Sequence, residues 1–261
     1  MTYCLGIRVR EGLVALADGR VTAGNQIAQT KKIVLLGEGN DRFFIMTSGL
    51  RSVRDKVLAY LRQMADPAGM NPEAAQFPTM IDAVNGFSRC LRRVRKEDEA
   101  ALAASDLHFN LHAIIGGQLG QDSHPTTFLV YPEGNWIEVD ERTPYLSIGS
   151  TTYGKPILDR ALTFDTPLRD ALKLAYLSFD STRPSATDVG YPIDLIAYRH
   201  EDRRWRETHL DQDSLAQQRQ WWNGQIAALA ARMPDDPWRD ALVGEAPLQI
   251  IQGGQARKPI A

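Results

Sequence analysis

Thr2, Asp18 and Lys32 are residues whose types and order could build an amide-cleaving site. A threonine hydroxyl is a poor nucleophile at neutral pH and needs a base. If Met1 is removed, Thr2 becomes a free N-terminus that supplies both: the hydroxyl attacks and the α-amine takes its proton. A free α-amine has a reference pKa of roughly 7.7–8.0, so a useful fraction is neutral near pH 7. A neighbouring lysine cation disfavours protonation of that amine and pushes its pKa down. An aspartate beside the lysine would hold it charged and in place. Each residue also has an ordinary reading. Many chains carry Thr second, an Asp at a strand end is usually a turn former, and a Lys-Lys pair is usually solvated.

The elements that must position these residues are short and close together. Met1 to Val9 reads as a strand, Glu11-Gly12 as a turn, and Leu13 to Asp18 as a second strand. A loop, Gly19 to Asn25, follows. The basic pair Lys31-Lys32 then leads into an apolar run, Ile33 to Leu36.

Taken together, these features form a pattern. Thr2, Ala17-Asp18, Arg20-Val21-Thr22-Ala23-Gly24-Asn25 and Lys31-Lys32-Ile33 resemble the N-terminal segment of proteasome β-type subunits and their bacterial relative HslV. Those are threonine peptidases of the N-terminal-nucleophile (Ntn) hydrolase class. Within that group the chain is most similar to the Anbu family of bacterial proteasome-like proteins, which begin Met-Thr-Tyr-Cys and share a longer C-terminal part. The similarity is dense over residues 2–50 and thinner over roughly 145–200. It implies an α+β fold, a four-layer αββα sandwich with two stacked antiparallel sheets between helical layers.

Composition sets the bounds. The 261 residues are 43% hydrophobic and 24% charged, with a net charge of −2. That argues against a disordered chain and against nucleic acid as a partner. Cys4 and Cys90 provide neither a disulfide framework nor a metal cluster, which fits a reducing compartment. No signal peptide and no apolar run long enough to span a membrane is visible, so the expected address is the cytoplasm.

Further along, Phe43 to Gly49 reads as a buried strand that breaks at Ser48-Gly49 into a helix carrying Leu50, Val53, Val57 and Leu61 on one face. Backbone N–H groups at such a junction suit a developing oxyanion. By the resemblance, Ser48 stands where proteasome subunits place the oxyanion-hole glycine, with Gly49 after it. Residues 66–79 form a loop. A second helix follows, with Met80, Ile81, Val84, Phe87, Leu91 and Val94 on one face. Residues 107–117 alternate as a strand with His108 and His112 on the same face; without a carboxylate or Cys at ligand spacing they are weak metal ligands, and no metal is expected. A hairpin spans Phe128 to Val139. Leu168, Ala171, Leu172, Ala175 and Phe179 line a helix starting at Thr166-Pro167. Ile193–Tyr198 and Arg204–Glu207 are strands. The last helix, residues 211–232, is capped by Asp211 or Asp213. Its apolar face of Leu215, Trp222, Ile226 and Leu229 is widened by Trp221, and that face belongs either to a subunit contact or to the core of the chain itself.

The resemblance implies further roles. Tyr145 to Gly154 contains a strand ending in Gly149-Ser150, and Ser150 corresponds to the serine that supports the N-terminal amine. Asp180, Ser185 and Asp188 compete for the remaining supporting role. Val21, Thr30, Met46 and Leu50 fall where the family builds its substrate pocket, here favouring a modest apolar side chain. Residues 1–232 would be the Ntn domain and 233–261 a flexible end or an arm onto a neighbouring subunit. The implied function is a homo-oligomeric peptidase subunit, assembled as a ring or helix, acting on polypeptides without a cofactor. Any ATP-driven unfoldase would be a separate chain, since no nucleotide-binding loop occurs here. Two other readings stay open: an Ntn amidase or acylase on a small amide, and a non-catalytic ring scaffold like proteasome α subunits.

Overall fold

Period-two alternation in the first two strands sets the architecture. In the computed structural model, which describes residues 2–23, 26–65, 77–234 and 242, β1 spans Tyr3–Val9 and β2 spans Gly12–Asp18. Both strands are buried on both faces. One face sends Tyr3, Leu5, Ile7, Val14 and Leu16 into one apolar layer. The other sends Cys4, Leu13, Ala15 and Ala17 into a different layer. A strand buried on both sides must sit in the middle of a stack.

The chain divides into two compact units, Met1–Ala216 and Gln217–Ala261. The first holds the stack. Its first sheet also contains β10 (Tyr145–Gly149), β11 (Ile193–Arg199) and β12 (Arg204–Leu210), in the order β10-β1-β2-β11-β12. The second sheet runs β5-β6-β7-β8-β9, built from Ile33–Glu38, Asp41–Gly49, Leu111–Gly117, Thr126–Val130 and Trp136–Glu138. All pairings in both sheets are antiparallel. Helices α1 (Arg51–Ala65) and α2 (Met80–Ala103) bury Val53, Val57, Leu61, Phe87 and Leu91 against Phe43, Ile45 and Ile115 of the second sheet. Helix α4 (Leu168–Thr182) buries Ala171, Ala175 and Phe179 against the first, preceded by the short α3 (Lys155–Ala161). The sheets meet face to face through Cys4, Ala15, Ala17, Phe44, Met46 and Ile114. This is the expected αββα sandwich.

Small residues let the two sheets approach. A Cβ on Gly6 would lie 2.9 Å from the Ile114 side chain. Helix α2 starts where Thr79 accepts the Asp82 N–H, and Asp82 supplies a negative charge in the first turn, where the helix dipole favours one.

Several sequence expectations change. Part of the expected loop Gly19–Asn25 belongs to an antiparallel ribbon of β3 (Arg20–Ala23) and β4 (Gln26–Gln29); Gly24 and Asn25 lie outside the described residues. The strand expected over 107–117 begins only at Leu111, so His108 is not in it and does not share a strand face with His112. Residues 66–76 of the expected loop, and the tail from 235 onwards apart from Leu242, also lie outside the described residues.

The last helix, α5, covers Ala216–Ala231 and buries none of its residues. Of the expected face, Leu215 is buried in the layer that holds Tyr3 and Leu16, Trp222 is half-buried, and Ile226 and Leu229 are exposed, as is Trp221. Of the two expected caps, Asp211 accepts from both the N–H and the hydroxyl of Ser214, in the turn just before α5. No helix among the described residues is long and apolar enough to cross a membrane.

Candidate active site

The centre of the site is a buried ion pair. Asp18 ends β2 and is fully buried; Lys32, just before β5, is 5% exposed. Lys32 Nζ donates to Asp18 Oδ1 at 2.6 Å. The same oxygen accepts the Tyr3 N–H at 2.8 Å, so the carboxylate grips the backbone one residue beyond Thr2. Asp18 Oδ2 accepts the Gly190 N–H at 3.4 Å. Burial pushes the Asp18 carboxyl up, and the Lys32 cation with the N–H donors pulls against it.

Thr2 is fixed from the opposite strand as well. Tyr3 pairs with Gly149, and the Ser150 N–H donates to the Thr2 carbonyl at 2.7 Å. Gly149 has φ +89°, and a Cβ there would fall 1.7 Å from the Thr2 carbonyl oxygen. Only glycine fits. The Ser150 hydroxyl is buried and has no hydrogen-bond partner among the described residues. The strand-to-helix junction repeats the device: Gly49 has φ +136°, and a Cβ would lie 2.1 Å from the Asn110 carbonyl oxygen.

A cavity of about 530 Å³ opens where the apolar sheet-to-sheet layer ends. Thr2, Lys32, Ser48, Gly49 and Gly149 all line it. A hydroxyl, an amine-bearing side chain and backbone at a helix start therefore share one solvent-reachable space, with the fully buried Asp18 behind the lysine. Cys4 is a nearby alternative nucleophile, but it is fully buried and burial pushes its thiol up, which keeps it protonated and inert.

The family model for the proteasome subunit matches residues 2–193. Among solved structures, the Anbu protein of Pseudomonas aeruginosa, described as a helical assembly, superposes with a TM-score of 0.82 at 31% identity. That match covers 90% of this chain and 98% of that one. The chain belongs to the proteasome subunit family, as an Anbu-type member. Anbu from Yersinia bercovieri, described as an ancestral β-subunit, gives a TM-score of 0.80 at 29% identity over 90% of this chain and 98% of that chain. A curated relative, proteasome subunit beta 2 of Pyrobaculum islandicum, is 28% identical over 205 residues, covering 77% of this chain and 92% of the relative.

Within this proteasome-type frame, not every residue expected at the site is there. Val21 and Thr30 line the cavity. Met46 does not: it is fully buried between the sheets, because its strand position gives it the same side as Phe44. Leu50 packs against the α1–α2 layer instead. Asp180 lies in α4 with its carboxylate 3.3 Å from the Arg183 guanidinium. Ser185 is exposed and Asp188 half-buried in the turn that follows. That turn reaches the site through backbone, by Gly190 on Asp18, and is tied to β3 by Arg20 donating to the Thr187 carbonyl at 3.1 Å.

Thr47, Arg51, Arg54, Asn110 and His112 also line the cavity and were not expected there. His112 sits directly across from Ser48 in the β6–β7 register. The helical start after Gly49 gave a signal for Arg51 and Arg54; His112 needed the strand register, which the sequence does not state.

Proposed function

We propose that this chain is a threonine peptidase subunit. Met1 is removed, and the Thr2 hydroxyl oxygen attacks the carbonyl carbon of a peptide bond. The Thr2 amine takes the hydroxyl proton, through water, and returns it to the leaving amine as the C–N bond breaks. Water then cleaves the resulting ester and frees Thr2. The N–H groups at Ser48 and Gly49 receive the oxyanion. Lys32, held by Asp18, keeps the amine deprotonated by its charge. The Ser150 hydroxyl supports the amine.

One observation carries this reading. A buried lysine and aspartate are joined at 2.6 Å, and the same carboxylate oxygen anchors the residue next to Thr2. Buried ion pairs are weak stabilisers, so one placed here asks for a chemical reason. Assembly with copies of itself belongs to the proposal too. It is supported by the helical assembly described for the Pseudomonas aeruginosa Anbu protein and by the exposed Trp221, Ile226 and Leu229 of α5. An unfoldase, where one is used, is a separate chain.

The test begins with intact mass and N-terminal analysis of native protein. The expected product lacks one Met and starts at Thr2. Thr2→Ala should then abolish cleavage of a peptide library. Fully retained Met1 in native material would overturn the mechanism and leave the scaffold reading.

A further inference from the structure

The nucleophile does not choose a substrate; the wall around it does. Arg51, Arg54, Asn110 and His112 are among the side chains of that wall that play no part in the proposed chemistry. Among the described residues, none that lines the cavity is Asp or Glu. Arg51 and Arg54 stand in the first turn of α1, which contains no acidic residue. Cations at a helix N-terminus oppose the dipole, which already presents positive charge there. The placement costs stability, and an anion would repay it.

The arginines are only partly neutralised within the chain. Arg54 donates to Asp55 Oδ1 through Nε and through a terminal nitrogen, at 2.8 and 2.7 Å. Arg51 reaches the other oxygen of the same carboxylate at a looser 3.5 Å. One carboxylate thus serves two guanidinium groups, leaving one unit of positive charge at the cavity mouth. Burial pushes the His112 imidazole down, so near neutral pH it offers a hydrogen bond rather than a charge. Apolar groups that would have made a greasy pocket, Met46 and Leu50, are packed elsewhere.

We propose that the cavity selects peptides with an acidic side chain beside the scissile bond, read by Arg51 and Arg54. This rests on the threonine-peptidase reading and specifies its substrate class. Guanidinium groups bind carboxylates through paired, charge-assisted hydrogen bonds, which gives geometry as well as charge.

The experiment uses full-length protein with Thr2 exposed and peptides identical except for Glu, Leu or Lys at the residue whose carbonyl is attacked. The expected kcat/KM order is Glu first, by about tenfold, with Arg54→Ala and Arg51→Ala each lowering the Glu-over-Leu ratio by a similar factor. Arg54→Glu should shift preference towards Lys. Preference for Leu or Lys, with the arginine variants affecting all peptides equally, overturns the inference and leaves the peptidase intact. If no peptide is cleaved, titration calorimetry of the same peptides onto the Thr2→Ala variant separates the two claims. Tighter binding of the Glu peptide, weakened by Arg54→Ala, keeps the cavity assignment while the peptidase reading fails. Equal binding of all three sinks the assignment.

Discussion

Two ionic clusters in this molecule have nearly the same bond lengths and opposite surroundings. Lys32 and Asp18 meet at 2.6 Å with almost no exposure. On the outer helices, Lys56 meets Asp98 at 2.7 Å and Glu97 at 2.8 Å, while Arg93 and Tyr60 also contact Glu97. That second cluster is about a third exposed at Lys56, Glu97 and Asp98. The outer pair costs little to form and little to lose, because water screens it. The inner pair has given up its hydration, so the chain can lose either partner only at a large cost. Distance alone says nothing about role; desolvation and what else the charges touch decide it.

The sharpest way to break the contrast is to remove one inner partner. Lys32→Ala leaves Asp18 buried without its counter-ion, and about 3–5 kcal/mol of stability should go with it. Peptidase activity should fall by about 10²–10⁴-fold, the usual weight of one acid–base element. Urea denaturation and steady-state kinetics measure the two losses. The double variant Asp18→Leu with Lys32→Met replaces both charges by apolar groups. It should recover part of the stability, because the Tyr3 and Gly190 N–H groups still lose their acceptor, and none of the activity. Recovery of activity in the double variant would show that the pair is structural.

A smaller effect sharpens the same contrast by moving Thr2 while sparing the charges. Gly149→Ala must displace the Thr2 carbonyl, since the added Cβ would lie 1.7 Å from it. The backbone conformation alone costs roughly 1–3 kcal/mol. Activity should drop while the lysine–aspartate pair persists, seen as an unchanged effect of Lys32→Ala on stability when the two changes are combined.

The sequence made the frame readable because each layer leaves a period. Leu50, Val53, Val57 and Leu61 marked α1, and the runs Met1 to Val9 and Leu13 to Asp18 marked β1 and β2 as strands, while their burial on both faces came from the structure. The ribbon β3–β4 escaped because four-residue strands around Gly24-Asn25 look like a turn cluster. Helix α5 shows a different limit. Periodicity reveals that Trp222, Ile226 and Leu229 share a face, but not what covers it: Trp222 is half-buried, while Ile226 and Leu229 are exposed. At the site, Thr2, Asp18 and Lys32 were legible as types and Ser150 through the family pattern. Alternation on β6 sends Met46 with Phe44 into the sheet-to-sheet layer, a placement the sequence reading did not state. His112 depends on a cross-strand register that no local pattern contains.

The smallest effect belongs to the outer cluster and appears only in acid. Lys56, then Arg93 and Tyr60, hold the Glu97 carboxyl down to about 2. The folded form therefore keeps its carboxylate where the unfolded chain has already taken up a proton. The contribution is complete above the ordinary carboxyl range, declines as pH falls below it, and is gone once pH passes the folded value. Because the group is screened by solvent, the loss should be slight: Glu97→Gln should lower the melting temperature a little at neutral pH and not at all near pH 2. Raising the salt concentration at neutral pH should shrink the difference between the two proteins. The Lys32→Ala penalty should survive the same salt, because no counter-ions reach a pair that is buried. If salt erased both differences alike, the inner pair would be no better shielded than the outer one, and the case for a desolvated, chemically employed lysine at Thr2 would fall with it.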